Sequence, residues 1–209
     1  MTIGIDIEQV LEEIGTAYSV LRANSGEFDA EYLDYEMNRQ VTKPFIREHF
    51  LEVIFPYNTI VVGGDVVQFN VDNRKFLVMN ITPENFENTC IGKEGVLYKC
   101  NVSGEVLRPS GEVWDTQTYH KTPAWETIKT NAFGVITEKL FGTDLAQDEP
   151  IGQIGIYANE LYIPHSFGVQ ELDRYVAQSG EYWKIQSIET RKFDGVDICQ
   201  LVEDTRPSH

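Results

Sequence analysis

The His165–Ser166 pair in "YIPHSFG" is the first place to look for nucleophilic chemistry, which needs a serine or cysteine held against a base. Neighbours along a strand point to opposite faces, so the pair reads as a loop histidine beside a serine. No G-x-S-x-G occurs. The three cysteines, Cys90, Cys100 and Cys199, are odd in number and widely spaced, which argues against a disulfide framework and a zinc knuckle. Cys199 alternates onto a core face and reads as a small apolar filler. "GTDLAQDEP" supplies Asp144, Asp148 and Glu149 but lacks the tight spacing and central glycine of a calcium loop, so it reads as an acidic linker. "VVGGDVV" has neither G-x-G-x-x-G nor a phosphate-binding lysine, and reads as a turn or bulge. The expectation is a non-enzymatic protein with no catalytic residue, no metal and no cofactor. An enzyme would need His165, Cys199 or an acid pair to converge in a pocket.

Charge narrows the partners. Seventeen Lys and Arg stand against 33 Asp and Glu, a net charge of −16 and a pI near 4.6. The acidity is spread: 11 acids to 4 bases in residues 1–60, 13 to 8 in 61–150, and 9 to 5 in 151–209. No segment is basic enough to grip nucleic acid by counterion release, although DNA can pass an acidic wall. Hydrophobic content of 42% allows a real core. No apolar run approaches the roughly 18–20 residues of a membrane helix. "MTIGIDIEQVLEEIG" lacks the basic start of a secretory signal, so synthesis in the cytosol is expected.

The elements that would position any site follow from hydrophobic period. "DIEQVLEEIGTAYSVLR" predicts a helix with Asp6 as N-cap. Ile7, Val10, Leu11, Ile14, Ala17, Tyr18 and Leu21 form its apolar stripe, a core or subunit contact. "FDAEYLDYEM" reads as a short helix or an irregular arm. "KPFIREHFLEVIF" reads as a strand or short helix. From residue 59 the pattern turns to β: "TIVVGGDVVQFNV" as two strands about a Gly-Gly break, then "NRKFLVMNIT". "GVLYKCNVSGEVLR" reads as two strands about a Ser103–Gly104 turn. "PAWETIKTNAFGVITEKLF" has Trp125, Ile128, Ala132, Val135, Ile136 and Leu140 at rough helical spacing, with a long hairpin or arm as the rival. Beyond it, "QIGIYANELYIPHSFG" predicts strands about an Ala-Asn turn, and "VQELDRYVAQSG" a short helix or loop. The last hairpin turns at Asp194–Gly195, the strongest hairpin signal in the chain.

That hairpin also echoes an earlier one. "FLVMNITPE" (76–84) lies on "WKIQSIETR" (183–191), and "LYKCN" (97–101) on "VDICQ" (196–200), pairing Cys100 with Cys199. Two hairpins of one barrel, two related modules and coincidence all satisfy the match. The fold class expected is mainly β (α+β): an N-terminal amphipathic helix and one or two small β-barrel or sandwich modules with long loops or arms. The expected divisions are 1–58 (helix and arm), 59–108 (first β module), 109–150 (insertion and linker) and 151–209 (C-terminal β module).

"ELYIPHSFGVQELDRYVAQSGEYWKIQSIETRKFDGVDICQLVEDTR" resembles the C-terminal region of tailed-bacteriophage neck proteins, the head-completion or head–tail connector proteins. The residues that carry the resemblance are Gly180, Tyr182 or Trp183, Ile185, the Asp194–Gly195 turn, and Glu203, Asp204 and Arg206. The chain departs from the family in its N-terminal helix and long middle insertion. The resemblance implies a virion protein made in the host cytoplasm and located in the neck. It would form a homo-oligomeric ring between portal and tail, with DNA passing and no membrane involved. Its partners would be its own copies, a portal or adaptor protein, and tail proteins. Expected interface residues are Tyr18, Phe45, Trp114, Trp125, Asp204 and Arg206. Alternatives are a tail-side adaptor or baseplate component, and a carbohydrate- or small-ligand-binding barrel using Trp114, Trp125 and Trp183 as stacking platforms.

Overall fold

The computed structural model describes residues 3–22, 28–37, 50–114, 121–138 and 159–207. The protein is mainly β, with one N-terminal helix and two closed six-stranded barrels. Residues 1–100, with 164–166 and 190–196, form the first compact unit. Residues 101–163, 167–189 and 197–209 form the second. The main break falls at 100/101, where 58/59 and 108/109 were expected; 150/151 lies outside the described residues.

In the first unit, helix α1 (Ile3–Ile14) is followed by β1 (Thr16–Leu21), β2 (Phe28–Met37), β3 (Phe50–Pro56), β4 (Val66–Phe69), β5 (Lys75–Phe86) and β6 (Thr89–Lys99). The strands run in the order β1-β2-β3-β6-β5-β4, and β4 closes on β1. Leu51, Val53 and Phe55 of β3 are buried while Glu52 and Ile54 face out, the period of two that a barrel wall needs. With Tyr18, Val20, Leu33, Phe69 and Phe76 they fill barrel 1.

The predicted first helix is half right. It starts at Ile3, so Asp6 lies in its first turn and is not an N-cap. It stops at Ile14, and Gly15 donates its N–H to the Leu11 carbonyl at 2.8 Å. A Cβ at Gly15 would lie 2.4 Å from the Leu11 oxygen and 3.1 Å from the Leu33 oxygen, so strand β2 passes too close for a longer helix with a side chain there. Ala17, Tyr18 and Leu21 lie on β1. "FDAEYLDYEM" is strand β2, which corrects the helix-or-arm reading.

The second barrel is built from β7 (Val102–Trp114), β8 (Lys121–Glu138), β9 (Asn159–Pro164), β10 (Arg174–Ala177), β11 (Tyr182–Phe193) and β12 (Val196–Glu203). A single 3-10 turn, His165–Phe167, follows β9. The order is β7-β8-β9-β12-β11-β10, with β10 closing on β7. Strand for strand, this is the order of barrel 1. Residues 123–138 belong to a strand, so the long-hairpin alternative holds over the helical one. "VQELDRYVAQSG" contains strand β10 where a helix or loop was expected. No turn occurs at Ser103–Gly104: both lie inside β7, and the chain breaks between barrels at Cys100–Asn101. Residues 59–62 are not a strand, and only β4 follows the Gly-Gly pair. The Asp194–Gly195 turn joins β11 to β12 as expected. The segment before the Ala-Asn turn lies outside the described residues.

Candidate functional site

The two barrels carry the same ion pair at the same place. Arg22, just past β1, reaches Asp65, just before β4. Its Nε donates to Oδ1 and its Nη2 to Oδ2, both at 2.8 Å, and Nη2 also donates to the Ile60 carbonyl at 2.5 Å. Asp65 Oδ2 accepts the Val62 N–H at 2.9 Å. In barrel 2, Arg108 donates from Nε to Asp173 Oδ1 at 3.0 Å and from Nη2 to Oδ2 at 2.8 Å. That Nη2 also donates to the Gly168 carbonyl at 2.8 Å. Asp173 Oδ2 accepts the Gln170 N–H at 2.8 Å. Hydrogen bonds to the carboxylates raise both guanidinium pKa values above the ordinary arginine value. A planar fork on a nearly buried carboxylate fixes geometry as well as charge.

The backbone agrees. Leu21, Val20 and Tyr18 of β1 face Val66, Val67 and Phe69 of β4; Leu107, Val106 and Gly104 of β7 face Arg174, Tyr175 and Ala177 of β10. Val67 then faces Phe76, as Tyr175 faces Trp183. Gly64 N–H donates to the Val78 carbonyl at 2.8 Å, and Leu172 N–H to the Ile185 carbonyl at 2.9 Å. The clamp sits where each barrel closes. A one-residue slip at that seam would turn every side chain to the wrong face.

What fills the seam differs. Barrel 1 places Tyr18 on its first strand, 0% exposed and edge-on to Phe55 with ring centroids 5.6 Å apart. The Tyr18 hydroxyl donates to Glu31 and lies 3.1 Å from the Thr59 hydroxyl. Burial, and then the Glu31 carboxylate, push this phenol above its ordinary 10.0. Barrel 2 has Gly104 at the equivalent position, and the large ring comes from the fourth strand as Tyr175. A Cβ on Gly104 would meet Tyr175 Cζ at 2.9 Å and the Val176 oxygen at 2.3 Å. Tyr175 donates its hydroxyl to the Ala132 carbonyl at 2.9 Å.

Barrel 2 also holds a charged clasp with no counterpart among the described residues of barrel 1. Arg174 is 1% exposed, and its Nε donates to Asp204 Oδ2 at 2.6 Å while Nη2 donates to the Arg206 carbonyl at 2.6 Å. Arg206 donates to both Asp204 oxygens, at 2.8 and 2.7 Å, and to the Leu172 carbonyl at 3.0 Å. The Arg174 and Arg206 guanidinium carbons lie 3.9 and 4.7 Å from the Trp125 ring centroid. The Trp125 Nε1 donates to the Pro207 carbonyl at 3.4 Å. Burial opposes ionisation of Asp204, but hydrogen bonds from Arg206 and Arg174 outweigh it and hold the carboxyl below its ordinary 3.8. The clasp pins residues 204–207 against β8.

Trp125 marks the root of an arm. β10 pairs with β7 only over Gly104–Leu107, and β9 with β8 only over Val135–Glu138. Among the described residues, Arg108–Trp114 and Lys121–Glu126 pair only with each other, as a two-stranded ribbon. Lys121 faces Trp114, Pro123 faces Glu112 and Trp125 faces Pro109, so both tryptophans share one face. Trp125 is clasped; Trp114 is 55% exposed.

Three of the expected interface residues, Trp125, Asp204 and Arg206, therefore meet in one intramolecular cluster. Tyr18 lies in a core and offers no surface, which corrects its assignment as an interface residue. Trp114 is exposed on the arm, and Phe45 lies outside the described residues. His165 and Ser166 are both exposed on the 3-10 turn. Burial pushes the Cys100 and Cys199 thiols up to about 12, the opposite of an activated nucleophile. Asp144, Asp148 and Glu149 lie outside the described residues, and among the described ones no three His, Cys, Asp or Glu side chains could hold a metal ion. A groove of about 480 Å³ on the outside of barrel 1 is lined by Asp34, Glu36, Glu52 and Glu94 around Tyr35 and Ile54, and by no tryptophan. The sequence reading missed Arg22, Asp65, Arg108, Asp173 and Arg174. The repeated Val-Leu-Arg at 20–22 and 106–108 was the available signal. No family description, curated protein or solved structure matches this chain.

Proposed function

We propose that the protein is a non-enzymatic structural component of a tailed-phage neck, assembling as a homo-oligomeric ring between portal and tail around the DNA passage. The observation that carries this reading is the arm: a ribbon that leaves its barrel and carries an exposed Trp114 would gain burial against another subunit. The acidic surface supports it too, since a negative wall lets DNA slide without holding it. The test is native mass by light scattering across concentration, for the protein alone and mixed with phage portal protein. A ring-sized species in either condition is expected. A monomer that stays monomeric with every virion partner would overturn the proposal.

A further inference from the structure

Helix α1 seats on barrel 1 through one row of residues, and the described residues leave a second apolar row uncovered. Gly4 and Leu11 are buried, and Glu8 accepts a 2.8 Å hydrogen bond from the Asn58 side chain. Beside that row, Ile3, Ile7, Val10 and Ile14 follow the i, i+4, i+7, i+11 spacing of a single stripe. Ile3 is 46% exposed, Val10 51% and Ile14 76%, and Ile7 is half-buried. Asp6 and Glu13 fall along the free border of this stripe. Across the helix, Glu8, Glu12 and Glu31 line a groove of about 210 Å³. The helix carries four acids and no base.

We infer that this stripe docks an apolar segment of another protein whose borders carry lysine or arginine. A second copy of α1 would set four acids against four, and an anionic membrane would be repelled in the same way. A cationic amphipathic segment satisfies both the apolar row and its acidic border. The 12-residue helix is about 18 Å long, enough for three turns of such a segment. The inference does not depend on the virion reading.

The test uses the full chain and a labelled 15-residue peptide with leucines on one helical stripe and lysines along its borders. A scrambled peptide of the same composition is the control. The ordered peptide binds, and V10S/I14S weakens it tenfold or more while leaving the scrambled peptide unchanged. D6K/E13K weakens the ordered peptide as well. All four positions are exposed, so an unchanged melting temperature verifies that each variant is folded. Absence of binding, equal binding of the two peptides, or indifference to V10S/I14S overturns the inference. So does a native mass that falls in V10S/I14S, because that would assign the stripe to a second copy.

Discussion

Barrel 1 and barrel 2 share a strand order, a closing register and an Arg–Asp clamp, yet they fill their seams from opposite strands. Barrel 1 carries its large ring on β1, with Tyr18 facing Phe69 and Val20 facing Val67. Barrel 2 reverses the sizes, with Gly104 and Ala177 making room for Tyr175. The polar clamp is the invariant because its geometry is directional; the filling is free because a core asks only for matched volume. A second difference lies outside the wall. Just past Arg22 the chain leaves β1, whereas past Arg108 it continues as the arm. Among the described residues, the clasp of Arg174, Asp204, Arg206 and Trp125 occurs only in barrel 2, at the root of its arm.

The largest effect is expected where barrel 2 has something barrel 1 lacks. Asp204→Ala leaves Arg174 buried without its carboxylate and should cost about 3–5 kcal/mol, read by thermal or urea unfolding. Asp204 also makes stability depend on pH. Its folded pKa lies below the unfolded value, so its contribution is full above pH 3.8 and is lost as pH falls through the folded value. Asp204→Asn should remove that acid dependence, and an unchanged pH profile would refute the assignment.

The shared clamp gives the next test. Asp65→Asn and Asp173→Asn each disrupt a fork and a backbone acceptor, and each should cost about 1–3 kcal/mol. If only one of the two destabilises, the barrels are not mechanically alike. The reversed filling is probed by a cycle. Gly104→Tyr should destabilise, Tyr175→Val should destabilise, and the pair together should recover about 0.5–3 kcal/mol of the sum. Additive losses would mean that the two seams are not interchangeable solutions. The smallest stability effect belongs to the arm: Trp114→Ser should change stability by no more than about 0.5 kcal/mol. Its native mass with and without portal protein should nonetheless shift toward monomer.

The echo between the two hairpins shows how far pattern reading reaches. The alignment of Phe76 with Trp183 and Val78 with Ile185 matches the strand register. The alignment of Cys100 with Cys199 does not. Cys100 donates its N–H to Lys75 and Asp204 donates its own to Tyr182, both at 2.9 Å, so Cys100 is equivalent to Asp204. The hairpins span 25 and 22 residues between those bonded positions, a difference of three where the sequence match implied eight. The two hairpins also lie in separate barrels, which removes the reading of one shared barrel. A matching cysteine is a weak anchor because a buried thiol serves only as volume.

Alternation and turn chemistry, both local, determined the mainly β class, the Asp194–Gly195 turn and most strands from residue 66 onward. Composition alone determined the acidity and the scarcity of paired cysteines. Only the tertiary structure decided that "TAYSVL" is a strand, because its apolar spacing satisfies a helix equally well and the choice falls to β2 and β4, which hydrogen-bond it on either side. Only the tertiary structure brought Arg22 to Asp65, Arg108 to Asp173 and Arg174 to Asp204. A charge pair 30 to 65 residues apart leaves no period in the chain. It becomes visible when barrel closure sets both ends at one seam and burial makes leaving either charge alone unfavourable.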